Sequence, residues 1–258
     1  MRFIRSFWGD LSHHNNRHIH EINKIANSKR LNEIVYVWGI ENYEFITSLG
    51  FETIKMSDNP TQFGEDYLKN TSTFFTHKFE ALRRGLMEYD EVIFLDWDCQ
   101  QIKDIDDIFY TKLKINENKI QFPFYSFPND YLEIVLREWK DIPENDREYL
   151  IRQSESIQSN NFKLNDDNII PNASFIYCND YNIIVKLMEM NFRRKDFIFS
   201  EETVLMEYVK EVCHTIEDAI KIFEPLVCDA KNNDFFNQKK LNEFISLHIK
   251  KDQYFIHE

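Results

Sequence analysis

Apolar positions in the first 110 residues switch repeatedly between a helical period and short continuous runs. Phe3 to Trp8 reads as a strand closed by Gly9-Asp10, and Ile19 to Ser28 as a helix with Ile22 and Ile25/Ala26 on one face. Glu33 to Trp38 is a buried strand, Glu41 to Leu49 a short helix stopped by Gly50, and Phe51 to Met56 a further strand before the turn residues Ser57 to Pro60. From Thr76, Phe79, Leu82, Leu86 and Tyr89 recur at steps of three and four, which predicts an amphipathic helix, and Glu91 to Leu95 then reads as a strand. Helices alternating with continuous apolar strands imply parallel pairing, with both sheet faces covered. The second half is more mixed: strands over Lys119 to Phe124 and Ser174 to Tyr177, and helices over Asp130 to Trp139, Asp180 to Asn191 and Ser200 to Val212. The expected class is α/β, with a Rossmann-type mixed, mainly parallel central sheet flanked by helices. With no linker and no internal repeat, 1–258 is expected to be a single domain, 1–110 forming a nucleotide-binding half and 111–258 an acceptor-side half.

Composition narrows the function. The 44 Asp and Glu against 31 Lys and Arg give a formal charge of -13, a field that repels nucleic acid and anionic membrane, so an anionic ligand needs local help. A divalent cation, a helix N-terminus or a few basic side chains would supply it. Hydrophobic residues make up 43% and only 5 Gly and 6 Pro interrupt them, so a folded chain with a sizeable core is expected. Cys99, Cys178, Cys213 and Cys228 form no CxxC pair and read as buried reduced thiols. No apolar run reaches the length of a membrane span, and MRFIRSFWGDL lacks a secretion-signal pattern; the expected location is cytoplasmic.

The chemistry gathers at VIFLDWDCQQ, Val92 to Gln101. In extended backbone, residues two apart project to one side, so Asp96 and Asp98 would point together while Trp97 faces away. At 4 Å their repulsion is on the order of 1 kcal/mol in water and about 4 at an effective dielectric of 20, which a cation or a shared proton would relieve. Carboxylates without nearby Cys favour Mg²⁺ or Mn²⁺, leaving open positions for phosphate oxygens. Parallel sheets bind ligands beyond the carboxyl ends of their strands, which is where this pair falls. Capping of the next element, or pairing with Arg83 or Arg84, would explain the same acids without a metal.

The block HKFEALRRGLMEYDEVIFLDWDCQQIKDIDDIF, His77 to Phe109, resembles the helix, strand and DxD core of GT-A fold glycosyltransferases, in particular family 8-like enzymes related to glycogenin and bacterial lipopolysaccharide galactosyltransferases. The resemblance implies a metal-dependent hexosyltransferase moving a sugar from a nucleotide diphosphate sugar, a UDP-sugar by that likeness, to a carbohydrate, protein or lipid-linked hydroxyl acceptor. It implies Asp96 toward the ribose and metal, Asp98 as a direct ligand of Mn²⁺ (or Mg²⁺), and Lys78 near the nucleotide or donor sugar. PNASFIYCND, Pro171 to Asp180, is similar to the family's polar cluster before a strand, so Asn172, Ala173 and Ser174 are expected at the donor sugar. FSEETVL, Phe199 to Leu205, takes the place of the family's Asp-Gln pair with glutamates instead, making Glu201 and Glu202 candidates for sugar binding or for a base on the acceptor hydroxyl. Two acids in a first helical turn equally suit the helix dipole. The family's C-terminal HxxGxxKP corresponds to SLHIKK, Ser246 to Lys251, without its Gly and Lys-Pro; His248 is the expected third metal ligand, with His257 competing, and Lys251 is the expected phosphate contact.

Trp8, at the end of the first strand, is a candidate for nucleobase stacking, or a core residue. The histidines of SHHNNRHIH, Ser12 to His20, read as a solvated loop and helix start rather than a metal site. Two other classes compete with sugar transfer. A haloacid-dehalogenase-like, Mg²⁺-dependent phosphatase also ends a strand in DxD, but it wants Thr or Val where Gln100 stands and places the motif on its first strand. A non-catalytic nucleotide-sugar-binding module would keep the fold without turnover.

Overall fold

The computed structural model describes residues 1–9, 11, 16–28, 31–56, 76–114, 117–138, 147, 151, 155, 161–164, 166–193, 200–230, 238–248 and 252–257. The alternating first half forms as expected: β1 (Arg2–Phe7), α1 (Asn16–Ser28), β2 (Glu33–Val37), α2 (Ile40–Ser48), β3 (Glu52–Lys55), α3 (Thr76–Glu88) and β4 (Val92–Leu95). The Ser57 to Pro60 turn and His14 lie outside the described residues. The chain continues through β5 (Cys99–Gln101), α4 (Asp107–Leu113), β6 (Ile120–Gln121), β7 (Phe124–Phe127), α5 (Tyr131–Glu138), β8 (Phe162–Leu164), β9 (Asp167–Pro171) and β10 (Phe175–Cys178). It ends with α6 (Tyr181–Arg193), α7 (Ser200–Val212), α8 (Ile216–Phe223), β11 (Cys228–Ala230), α9 (Gln238–His248) and β12 (Phe255–His257).

The central sheet runs β3-β2-β1-β4-β10-β6. The first four strands are parallel. β10 is antiparallel to both β4 and β6, giving the mixed, mainly parallel α/β sheet expected. The apolar runs of β2 and β4 are buried along their whole length because helices cover both faces. On one face α3 and α6 bring Phe79, Leu82, Ile184, Leu187 and Met188 onto Ile4, Ile34, Tyr36 and Phe94. α3 lies close enough that a Cβ on Gly85 would meet Val92 Cγ1 at 2.9 Å, so a side chain there would push the helix off the strand. On the other face Phe109, Tyr254 and Phe255 pack on Ile93, Leu95 and Phe175, while Ile22 and Ile46 cover Phe7, Val35 and Val37. The first of these apolar clusters takes residues from Ile4 to Ile245, so both halves of the sequence share a core.

The strand expected over Lys119 to Phe124 is split. Pro123 has no N–H for a ladder, so the chain leaves the central sheet after β6 and enters a second one as β7. That sheet runs β7-β9-β8, and a third runs β11-β12-β5. These two small sheets matter because each delivers one residue to the end of β4. β9 hands the chain to β10 through Asn172, and β12 pairs antiparallel with β5 so that His257 sits opposite Cys99. No described helix is long and apolar enough to cross a membrane.

Candidate functional site

β4 stops at Leu95 and the chain turns at once. Asp96 N–H donates to Ser174 O at 2.8 Å, and Asp96 O accepts from Cys99 N at 2.9 Å, closing a turn through Trp97 and Asp98. The backbone here is therefore not extended, and the period-two argument for the aspartates does not apply. The turn achieves the same separation by another route. Trp97 goes to the far side, donating Nε1–H to Ser6 O at 3.0 Å and placing its ring against Phe7 and Phe51.

Asp96 and Asp98 meet different partners. The buried Lys78 ammonium, on α3, donates to Asp96 Oδ2 at 2.6 Å and lies 3.3 Å from Glu201 Oε1, at the start of α7. His257 Nε2 lies 3.3 Å from Asp98 Oδ2. Its Nδ1 accepts from Asn172 Nδ2 at 2.9 Å, and Asn172 Oδ1 accepts from Ser174 N–H at 2.9 Å. The expected residues Lys78, Asp96, Asp98, Asn172, Ser174 and Glu201 thus form one connected group. His257 joins them through two contacts.

The charges do not balance. Burial alone would lower the Lys78 ammonium, but Asp96, Glu201 and Glu202 raise it above its ordinary value, so it stays charged. Burial outweighs Lys78 at Asp96 and raises that carboxyl. Glu201 is raised well above the usual carboxylate range by burial and by the charge of Glu202, and burial pushes Glu202 up to about 7 despite Lys78. At Asp98 burial acts upward too, but the His257 hydrogen bond and charge bring it down to about 2. Burial lowers His257 while Asp98 raises it, with a net rise. Buried oxygens without a partner remain at Glu201 Oε2, Glu202 Oε2 and Ser174 Oγ. Helix-dipole stabilisation explains acids in the first turn of α7, but it does not require burying Glu201 beside Lys78.

Among the described residues no three His, Cys, Asp or Glu side chains are gathered tightly enough to hold a metal ion as they stand. Asp96 is turned to Lys78, and Asp98 to His257. His248 closes α9, with its side chain outside the described residues, as is Lys251. Trp8 stacks on His77 with ring centroids 5.0 Å apart and 4° between planes, and Trp38 meets the same imidazole edge-on at 4.8 Å, so one face of Trp8 is already covered.

Arg5 was not among the expected residues. Buried in β1, it donates to Glu33 Oε2 at 3.0 Å and Oε1 at 2.8 Å, and to the carbonyls of Leu95, Asp96 and Cys99. It clamps the turn from the side opposite Lys78. The signal was present, since Arg5 is a charge between the apolar Phe3-Ile4 and Phe7 of a buried strand. Behind the clamp lies a cavity of about 610 Å³, lined by Arg5, Leu31, Glu33, Phe51, Gln100 and Gln101 and by neither aspartate. The carboxylate cluster carries unpaired buried oxygens and the perturbed acids, so we place the candidate site there rather than in this cavity.

No family model matches the chain, and no curated protein matches it. Among solved structures, mouse xyloside xylosyltransferase 1 in its apo form aligns over 100% of this chain and 97% of its own, at 9% identity and a TM-score of 0.49. Core-mannan synthase A from Aspergillus fumigatus, in a Mn/GDP form, aligns over 87% of this chain and 70% of its own, at 11% identity and a TM-score of 0.38. Neither likeness assigns a family to this chain.

Proposed function

We propose that the protein is a GT-A-like, metal-dependent glycosyltransferase that moves a sugar from a nucleotide diphosphate sugar, a UDP-sugar, to a hydroxyl acceptor. The observation that carries this reading is the excess of carboxylate at the end of β4. Asp96, Asp98, Glu201 and Glu202 face one buried ammonium and one imidazole, with buried carboxylate oxygens left unpaired. Two carboxylates and an imidazole are a donor set that suits Mn²⁺ or Mg²⁺, and a divalent cation would correct the imbalance. The resemblance of residues 77–109 to the GT-A core supports the same conclusion.

In this reading Asp96 and Asp98 would hold the ion, and His257, in place of His248, supplies the imidazole. The bound ion would neutralise the diphosphate and stabilise it as a leaving group. Lys78 fixes the orientation of Asp96 and brings a permanent positive charge to the donor's phosphate or sugar side. Glu201 anchors Lys78. Glu202, titrating near 7, is suited to accept the acceptor hydroxyl's proton, because a base works best with a pKa near the working pH. Ser174 Oγ, buried and unpartnered, would be available to a donor hydroxyl.

A screen of nucleotide sugars with Mn²⁺, scored by released nucleotide, tests the proposal without needing an acceptor. UDP release from one donor, abolished by chelator, is expected. Absence of both donor hydrolysis and any Mn²⁺-dependent nucleotide stabilisation would sink it.

A further inference from the structure

The hydrogen bonds around His257 run in one direction. Asn172 is pinned first: its N–H donates to Pro123 O at 2.7 Å, and its Oδ1 is committed to Ser174 N–H at 2.9 Å. Its Nδ2 therefore faces His257 Nδ1, 2.9 Å away, and an amide nitrogen has only protons to offer. Nδ1 must accept. The ring proton then sits on Nε2, which points at Asp98 Oδ2 from 3.3 Å. The chain of donors passes from the Ser174 backbone N–H through Asn172 and His257 to Asp98.

An imidazole that ligates a cation through Nε2 needs the reverse arrangement, with the lone pair on Nε2 and Nδ1–H given to an acceptor. We propose that Asn172 is a positioning residue that holds His257 as a hydrogen-bond donor to Asp98, and so sets how readily the site takes a divalent cation. The residue expected at the donor sugar thereby acquires a different task. A cation that claims Nε2 has to turn the chain round, and turning Asn172 forfeits the Ser174 N–H bond. Asn172→Asp removes that obstacle, because a carboxylate of the same shape accepts from Ser174 N–H and from Nδ1–H together.

The cation half of this proposal rests on the metal-dependent reading above; the tautomer half does not. Long-range ¹H–¹⁵N correlation spectra of the metal-free full chain, labelled at histidine and held at mildly alkaline pH, read the tautomer directly. His257 is expected with its proton on Nε2, and in Asn172→Asp with its proton on Nδ1. A wild-type Nδ1–H tautomer would overturn the proposal, and this measurement needs no variant to fold. Titration with Mn²⁺ alone, followed by electron paramagnetic resonance, reads the consequence. Asn172→Asp should bind roughly 10-fold or more tightly than wild type, the scale on which partners of ligating histidines act. Most of that gain should vanish when His257→Ala is added, since only the extra charge is then left. An equal gain with and without His257 overturns the positioning role. Failure of both wild type and Asn172→Asp to bind Mn²⁺ overturns the cation half and the reading beneath it, while the tautomer result stands separately.

Discussion

Two buried cations flank the turn after β4, and they are treated in opposite ways. On one side the Arg5 guanidinium has a matched carboxylate, Glu33, held by two bonds, and further bonds to three carbonyls. On the other side the Lys78 ammonium is shared between Asp96 and Glu201, with Glu202 and Asp98 nearby and buried oxygens left over. A fork-shaped donor meeting a carboxylate in two places uses up its own protons and its partner's lone pairs, which makes it a fastener. A point charge among too many acids makes an environment that still has something to bind. Burial alone does not separate structure from function here; the completeness of the pairing does.

The contrast is sharpest when the fastener is cut. Arg5→Met leaves Glu33 buried and alone, and should cost about 3–5 kcal/mol, read as a shift of the denaturant midpoint at unchanged slope. A loss below about 1 kcal/mol would put Arg5 in the same class as the surface pairs. Lys78→Met should behave differently, because burial already raises Asp96 and Glu201, and a proton taken up there would offset the lost charge. Its main effect is expected on donor hydrolysis, a fall of roughly 10²- to 10³-fold, the scale for removing one charge aimed at a developing anion.

If the wild type is stabilised by Mn²⁺ with UDP as proposed, by about 2.7 kcal/mol at ligand 100 times its Kd, Asp98→Asn should leave the fold intact and abolish that stabilisation. A variant still stabilised by Mn²⁺ with UDP would remove Asp98 from the site. Glu202 offers a pH test. Its carboxyl is held at about 7 against an ordinary 4.5, so the folded chain binds that proton more tightly than the unfolded one, and stability falls as pH rises through that window. Glu202→Gln should flatten the profile between those values by roughly 3 kcal/mol. A profile with unchanged slope would show that Glu202 titrates normally. At the bottom of the scale, Lys186→Ala breaks an exposed pair with Glu211 and should move stability by no more than about 0.5 kcal/mol.

What could be read in advance followed the length and regularity of each element. The units from β1 to β4 carry apolar runs or helical periods long enough to show in a sequence, and they formed within three residues of expectation. β5, β11 and β12 have three residues each, too few for any period, and they went unread although β12 carries His257. β6 and the start of β7 read as one strand because the apolar run passes through Pro123 without a polar break. The candidate site divides in the same way. Asp96, Asp98 and Lys78 were legible from a motif next to a strand and a helix. Arg5 was visible as a charge in a buried run, but its partner was not, since Glu33 reaches it only through the β1–β2 register.

By itself, then, the sequence determined that an α/β sheet would form and that two acids would stand where its fourth strand ends, because hydrophobic periodicity and turn chemistry are local. Only the tertiary structure decided what those acids face. Lys78 on α3, Glu201 on α7, Asn172 between two sheets and His257 on the last strand come together through crossovers and strand registers, and these are set by how faces pack. The direction of each hydrogen bond in the cluster depends on which neighbour arrives with a proton and which with a lone pair, a matter of geometry between residues far apart in the chain.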